Sequence, residues 1–207
     1  MALMKKLFNN TRKPQGVLGK MMVKGMNNGH AAVTAWGLSC LPESRYEQIG
    51  DFGCGGGKAV KRLLENFPQA KVTGLDYSEV SVEAAKKENG KAIAEGKCRI
   101  IQGDVSDLPF EDDCFDLITA FETIYFWPGP EESFRQVRRV LAPGGTFMIV
   151  CESDGEKPDD QKWVDMIDGM RLYKKEELKE ILLSCGFASV EIHHNLSKHY
   201  LCLAAKK

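Results

Sequence analysis

Ile49-Gly50-Asp51-Phe52-Gly53-Cys54-Gly55-Gly56-Gly57-Lys58 is the stretch whose reading decides the fold. An apolar strand pattern runs into five glycines within eight positions, and a helical pattern follows. Glycines this close together leave only backbone on one side of the turn, so a flat or charged ligand can approach main-chain N–H groups at a helix N-terminus. Taken alone, the stretch could equally be a tight strand-to-helix turn with no ligand. The segments on either side distinguish the two.

Downstream, Val60, Leu63, Leu64 and Phe67 recur at i, i+3, i+4 and i+7, one apolar face of a helix that Pro68 closes. A short strand over 71–76 ends on Asp76, and Ser78 then caps a helix expected to continue to about Ala94, with Glu79 in its first turn. A third strand over 98–104 also finishes on an acid, Asp104, and a fourth over 115–121 leads to Glu122. A helix carrying Phe134, Val137 and Leu141 follows, and the Pro143-Gly144-Gly145 turn launches a fifth strand over 146–151. This alternation predicts an α/β fold, a doubly wound, mostly parallel sheet with helices on both faces and right-handed crossovers. Leu178, Ile181, Leu182 and Cys185 mark one more helix, ended by Gly186. The last two strands, at about 189–193 and 198–204, are joined too tightly for a parallel crossover, so one strand near the C-terminus runs antiparallel.

Residues 1–45 read as an N-terminal helical cap or lid, ahead of a domain over 46–207. Met21, Met22, Val23 and Met26 supply apolar surface before the turn-like Asn27-Asn28-Gly29, and an apolar helix candidate starting at His30 ends at Leu41-Pro42. Preceding the first strand, this segment must pack outside the sheet. Every charged residue before Glu43 is basic (Lys5, Lys6, Arg12, Lys13, Lys20, Lys24), which reads as a solvated helical face or a binding arm. No apolar run approaches the ~18 residues a membrane span needs, and the start of the chain lacks an apolar region of signal-peptide length, so the chain reads as cytoplasmic. The seven cysteines (Cys40, Cys54, Cys98, Cys114, Cys151, Cys185, Cys202) are scattered without a Cys-x-x-Cys pair. Reduced thiols are therefore expected, rather than disulfides or a zinc site, and no metal is assigned.

Three acids occupy equivalent places: Asp51 within the glycine turn, Asp76 at the end of the second strand and Asp104 at the end of the third. In such sheets ligands bind outside the carboxyl ends of strands where the strand order reverses, so the three acids should line one crevice. Asp76 is placed to accept hydrogen bonds from ribose hydroxyls, Asp51 to orient the loop or hold an ammonium group through water, and Asp104 to take an exocyclic amine. A ligand with adenine, ribose and a cationic amino-acid tail satisfies all three. The dinucleotide fingerprint fails because Lys58 stands where its third glycine belongs, and Asp51 would repel a pyrophosphate. The Walker pattern fails at Phe52 and at Ala59.

Together the motifs Asp51-Phe-Gly-Cys-Gly-Gly-Gly, Gly74-Leu-Asp76-Tyr-Ser, Gly103-Asp104-Val with Leu108-Pro109-Phe110, Phe115-Asp-Leu-Ile and Arg139-Val-Leu-Ala-Pro-Gly-Gly resemble the successive motifs of class I S-adenosylmethionine-dependent methyltransferases. The resemblance implies a seven-stranded sheet with the last strand antiparallel, and S-adenosylmethionine as cofactor with S-adenosylhomocysteine as product. It implies Gly53, Cys54 and Gly55 against the methionine portion, Asp76 on the ribose, Asp104 with Val105 at the adenine, Tyr77 packed on the adenine, and Phe121 beneath the methyl donor. The Leu108-Pro109-Phe110 motif and the segment after the fourth strand are similar to the branch that methylates small molecules, including the quinone-methylating enzymes. Phe121-Glu122-Thr123-Ile124 stands where nucleic-acid amine methyltransferases carry an Asn-Pro-Pro-Tyr type motif, so a small-molecule acceptor is expected and no nucleic acid. Oligomeric state and acceptor are not specified.

For a proton acceptor the candidates are His30, Glu122 and Tyr125. The stripe in the segment after the fifth strand, including Trp163 and Met166, is placed to meet substrate together with His30, Trp36 and Tyr125. His193, His194 and His199 are expected to lie away from the crevice. Two other classes fit less well: a non-catalytic S-adenosylmethionine-binding protein or regulatory subunit, and an NAD-dependent oxidoreductase.

Overall fold

A computed structural model of the chain describes residues 11–12 and 14–207. Lys5, Lys6 and Lys13, with the start of the expected cap, lie outside the described residues. Seven strands, β1 (Gln48–Phe52), β2 (Lys71–Asp76), β3 (Cys98–Gln102), β4 (Phe115–Phe121), β5 (Leu141–Cys151), β6 (Ser189–Asn195) and β7 (Tyr200–Lys206), form one sheet in the order β3-β2-β1-β4-β5-β7-β6. Strand β1 pairs in parallel with β2 and β4, and the β2–β3 and β4–β5 pairs are parallel as well. Strand β7 alone runs backwards, antiparallel to both β5 and β6. The chain leaves β1 toward β2 and β3, then returns to lay β4 on the other side of β1. That reversal is the switch point where such sheets open a crevice.

Alternation along the strands divides the core into two apolar layers. One layer takes Ile49, Val72, Ile100, Leu117, Met148, Val150 and Cys202 from the sheet. It packs them against Val33 of α2 (Ala31–Ser39), Val60 and Leu63 of α3 (Lys58–Asn66), and Val82 and Ala85 of α4 (Glu79–Glu88). The other layer takes Phe52, Leu75, Ile118, Phe147 and Ile149 from the sheet. These meet Phe134 and Val137 of α6 (Pro130–Val140) and Leu178 and Leu182 of α8 (Lys175–Ser184). Ahead of α2, α1 (Gly16–Gly29) packs on α4. Among the described residues no helix is long and apolar enough to cross a membrane.

Four local readings change. The helix capped by Ser78 stops at Glu88 and resumes as the short α5 (Gly90–Ala94), because the buried Asn89 turns its side-chain amide to donate to the carbonyls of Gly57 and Ala85, both at 3.0 Å. Asn27, Asn28 and Gly29 are the last residues of α1, not a separate turn. Pro143, Gly144 and Gly145 do not precede β5 but interrupt it, as the pairing with β4 steps from Phe115–Leu141 to Leu117–Thr146. After β5 the helix α7 (Gln161–Met166) ends at Met166, so Ile167 and Met170 continue its stripe without helical phase. Two motifs of the resemblance turn out to be one clamp. Arg139 donates to the carbonyls of Phe110 at 2.8 Å and Leu108 at 2.9 Å, and Phe110 stacks on Phe52 with ring centroids 5.7 Å apart.

Candidate active site

At the carboxyl ends of the strands lies a cavity of about 780 Å³. Its lining includes Asp51, Gly53, Cys54, Gly55, Asp76, Tyr77, Asp104, Val105 and Phe121 at one end, and His30, Glu122, Tyr125 and Trp163 at the other. The glycine turn forms the floor. The N–H groups of Gly53 and Cys54 both donate to the Leu75 carbonyl, at 2.7 and 3.0 Å, which sews the turn to β2. Asp76, 6 % exposed, accepts the Gly55 N–H on one carboxylate oxygen and the Ser78 N–H on the other, each at 2.9 Å. Its pKa is raised by burial, against the pull of those two backbone donors.

Gly53 and Gly55 both hold left-handed backbone, φ +77° and +52°. A Cβ on Gly53 would stand 2.0 Å from Thr123 Oγ1, whereas one on Gly55 meets nothing within 4 Å and would project into open space. Gly53→Ala therefore combines positive-φ strain with overpacking and should cost about 2 to 5 kcal/mol, while Gly55→Ala should cost only the strain, about 1 to 2 kcal/mol. Urea unfolding of the two variants checks this difference, and equal losses would contradict the packing of Gly53 on Thr123.

Asp51 is the most deeply buried acid of the group, at 1 % exposed. Thr119 Oγ1 donates to its Oδ1 at 2.8 Å, and its Oδ2 is buried without a protein partner. Burial pushes its pKa up to about 7, the Thr119 hydrogen bond opposing and the Asp76 charge adding. Asp104 is exposed and turns its Oδ1 to Ser106, whose N–H and hydroxyl donate at 2.9 and 2.7 Å, and its neighbour Val105 is buried. Above Asp76 the N-terminal segment crosses the cavity. The Tyr77 hydroxyl donates to the Arg12 carbonyl, the Ser78 hydroxyl to the Pro14 carbonyl at 3.1 Å, and Arg12 Nη1 to the Asp168 carbonyl at 2.8 Å.

At the other end, His30 at the start of α2, Glu122 after β4 and Glu152 after β5 bring their donor atoms within 4.8 Å of one another, a set that could hold a metal ion. No spacing rule reveals it, since the three come from distant segments. Glu122 has positive φ, +57°, and its Oε1 accepts the Glu152 N–H and the Tyr125 hydroxyl. Its pKa is pushed up to about 8 by burial and by the facing Glu152 charge. Burial also drives the Tyr125 hydroxyl well above its usual range and lowers that of His30, on which Glu152 acts in the opposite direction.

Phe126, Trp127, Ile167, Met170 and Leu172 complete an aromatic and apolar wall beside this cluster. Trp36 and Met166 do not line the cavity, contrary to expectation. Trp36 points to the sheet, its ring 5.7 Å from that of Tyr200, and the end of α7 puts Ile167 in the place expected for Met166. The hairpin also lies closer than expected. His194 Nε2 and His199 Nδ1 both meet the buried Asp154 Oδ2, at 2.9 and 2.8 Å, two residues beyond Glu152, and Lys198 reaches the cavity.

Comparison with known proteins agrees with this layout. Residues 50–149 match the family model described as a methyltransferase domain, which supports the class I S-adenosylmethionine-dependent methyltransferase fold. The cofactor of that family is S-adenosylmethionine. The chain is 32% identical over 150 residues to the sterol 24-C-methyltransferase ERG6B of Gibberella zeae, covering 71% of this chain and 36% of that protein. It is 29% identical over 153 residues to the chloroplastic 2-methyl-6-phytyl-1,4-hydroquinone methyltransferase 1 of Oryza sativa subsp. japonica, covering 74% and 44%. The chain thus spans less than half the length of these two relatives. Among solved structures, a methyltransferase from Haloferax volcanii in complex with the Trm112 methyltransferase activator superposes with a TM-score of 0.79 at 22% identity, over 89% of this chain and 92% of that one. A SAM-dependent methyltransferase from Aquifex aeolicus gives 0.73 at 18% identity, over 90% and 97%.

Proposed function

We propose that the protein transfers a methyl group from S-adenosylmethionine to a small aromatic acceptor with an ionisable hydroxyl, of the hydroquinone kind. The observation that carries the cofactor half is the buried, unpartnered Oδ2 of Asp51 beside a glycine turn with open space over Gly55. An anionic acceptor left unsatisfied there suits an ammonium group and repels a pyrophosphate. Gly53, Cys54 and Gly55 would hold the aminoacyl end, Asp76 the ribose, Asp104, Val105 and Tyr77 the adenine, and Phe121 the floor beneath the sulfur. Bound there, the cofactor supplies a sulfonium methyl, an electrophile open to in-line displacement. The chain's own residues then orient the acceptor, exclude water and take a proton. The aromatic and apolar wall supports a flat acceptor, and the hydroquinone relative points to the same class.

Equilibrium titration with S-adenosylmethionine and with NAD tests the reading. The sulfonium compound should bind and NAD should not, and tight NAD binding with none of the former would overturn it. The affinity should also depend on pH in a definite direction. Asp51 must be ionised to pair with an ammonium, and without that partner it titrates at about 7. Affinity should fall about tenfold per pH unit below that value and level off above it, by linkage. Asp51→Asn should flatten the dependence. Formation of S-adenosylhomocysteine in the presence of a substituted 1,4-hydroquinone separates an enzyme from a protein that only binds the cofactor.

A further inference from the structure

Two thiols from opposite ends of the chain meet beneath the N-terminal helices. Cys40 is the C-cap of α2 and half-buried, while Cys202 is fully buried on β7. Helix α2 packs on β5, the strand next to β7. The Trp36 ring lies 5.7 Å from that of Tyr200, and one helical turn later Cys40 packs against the apolar layer that holds Cys202, its thiol donating to the Trp36 carbonyl at 3.4 Å. The helix is pressed closely to the sheet, since a Cβ on Gly37 would stand 2.6 Å from a methyl of Val150, the residue paired with Cys202.

We propose that Cys40 and Cys202 form an oxidative modification site, which a hydroperoxide converts to a disulfide joining α2 to β7. The accessible sulfur reacts first. Cys40 attacks a peroxide oxygen, the S–O bond forms as the O–O bond breaks, and the departing hydroxide takes up a proton as water. The Cys202 sulfur then attacks the Cys40 sulfenic acid, forming the S–S bond and breaking the S–O bond, with the Cys202 proton leaving on hydroxide as a second water. The two thiols lose two electrons and the peroxide gains them. The two thiols act on each other, Cys202 lowering the Cys40 pKa while Cys40 and burial raise that of Cys202, which suits the half-buried thiol to attack and the buried one to resolve. Pinning this end of α2 restrains the helix whose other end presents His30 to the cavity.

The test is treatment of the full chain with hydrogen peroxide, followed by intact mass and peptide mapping without reductant. The expected result is a loss of two hydrogen atoms, a peptide pair cross-linked through Cys40 and Cys202, reversal by dithiothreitol, and slower backbone hydrogen exchange across α2. In Cys202→Ser the cross-link should vanish while a sulfenic acid at Cys40 becomes trappable by dimedone. Cys40→Ser, at the half-buried position, should also abolish the cross-link and serves if the buried substitution impairs folding. Oxidation that leaves Cys40 and Cys202 unlinked, or that spares Cys40 while other cysteines react, would overturn the proposal. None of these readouts depends on cofactor binding or methyl transfer.

Discussion

Asp76→Ala should weaken S-adenosylmethionine binding by two to three orders of magnitude. The carboxylate does two things at once. It accepts the Gly55 and Ser78 N–H groups at 2.9 Å, fixing the glycine turn to the N-terminus of α4, and it is proposed to receive the ribose hydroxyls on its remaining lone pairs. Hydrogen bonds to a charged group are worth about 1.5 to 3 kcal/mol each, and alanine removes the acceptor for all of them. Losing one pair of ribose bonds together with the loop geometry amounts to about 3 to 4 kcal/mol, which is the stated fold-change. Asp76→Asn keeps one carbonyl acceptor, so it should fall between the wild type and alanine. Isothermal titration reads the affinities, and circular dichroism shows whether the variants are folded. A folded alanine variant with unchanged affinity would remove Asp76 from the cofactor site.

That Asp51, Asp76 and Asp104 line one cavity is legible in the sequence because each placement is local. Each of Asp51, Asp76 and Asp104 sits at or just past a strand end, and parallel topology alone carries three such ends to one edge of the sheet. The other end of the cavity is only partly legible. His30, Glu122 and Glu152 come together because α2 packs on the face of β5, and no local pattern announces contacts between residues so far apart in sequence. That Trp36 lies outside the cavity is not legible for the same reason, since an isolated helix does not reveal which side meets the sheet. Met166 lies outside it because α7 stops there and the helical stripe does not continue. Asn89 carries a signal that could have been used, since Asn-Gly inside an otherwise helical run marks a break. Its consequence, an amide holding the Gly57 carbonyl, depends on tertiary contact and is invisible in the pattern.

The electrostatics of the acceptor end select among the three proton-acceptor candidates, and the selection predicts which substitution matters. A base must be unprotonated before it acts. At neutral pH Glu122, with its pKa pushed to about 8, holds its proton, and the Tyr125 hydroxyl, driven well above its usual range, does too. His30 is shifted the other way, below 6.5, so its imidazole is neutral and able to accept. Glu152 beside it would stabilise the imidazolium that results. His30→Ala should therefore lower kcat by about 10² to 10³, the range of a positioned general base, with S-adenosylmethionine affinity little changed. Glu122→Gln, which mimics the protonated acid, should stay within about threefold of wild type on the same scale. At saturating S-adenosylmethionine, wild-type activity should rise with pH along a limb that lies lower than that of an ordinary imidazole and belongs to His30, and His30→Ala should lack that limb. Initial rates of S-adenosylhomocysteine release with a substituted 1,4-hydroquinone, with and without added imidazole, decide the point. Partial rescue of His30→Ala by imidazole is the expected signature, whereas a large loss in Glu122→Gln and a small one in His30→Ala would transfer the role to the carboxyl group.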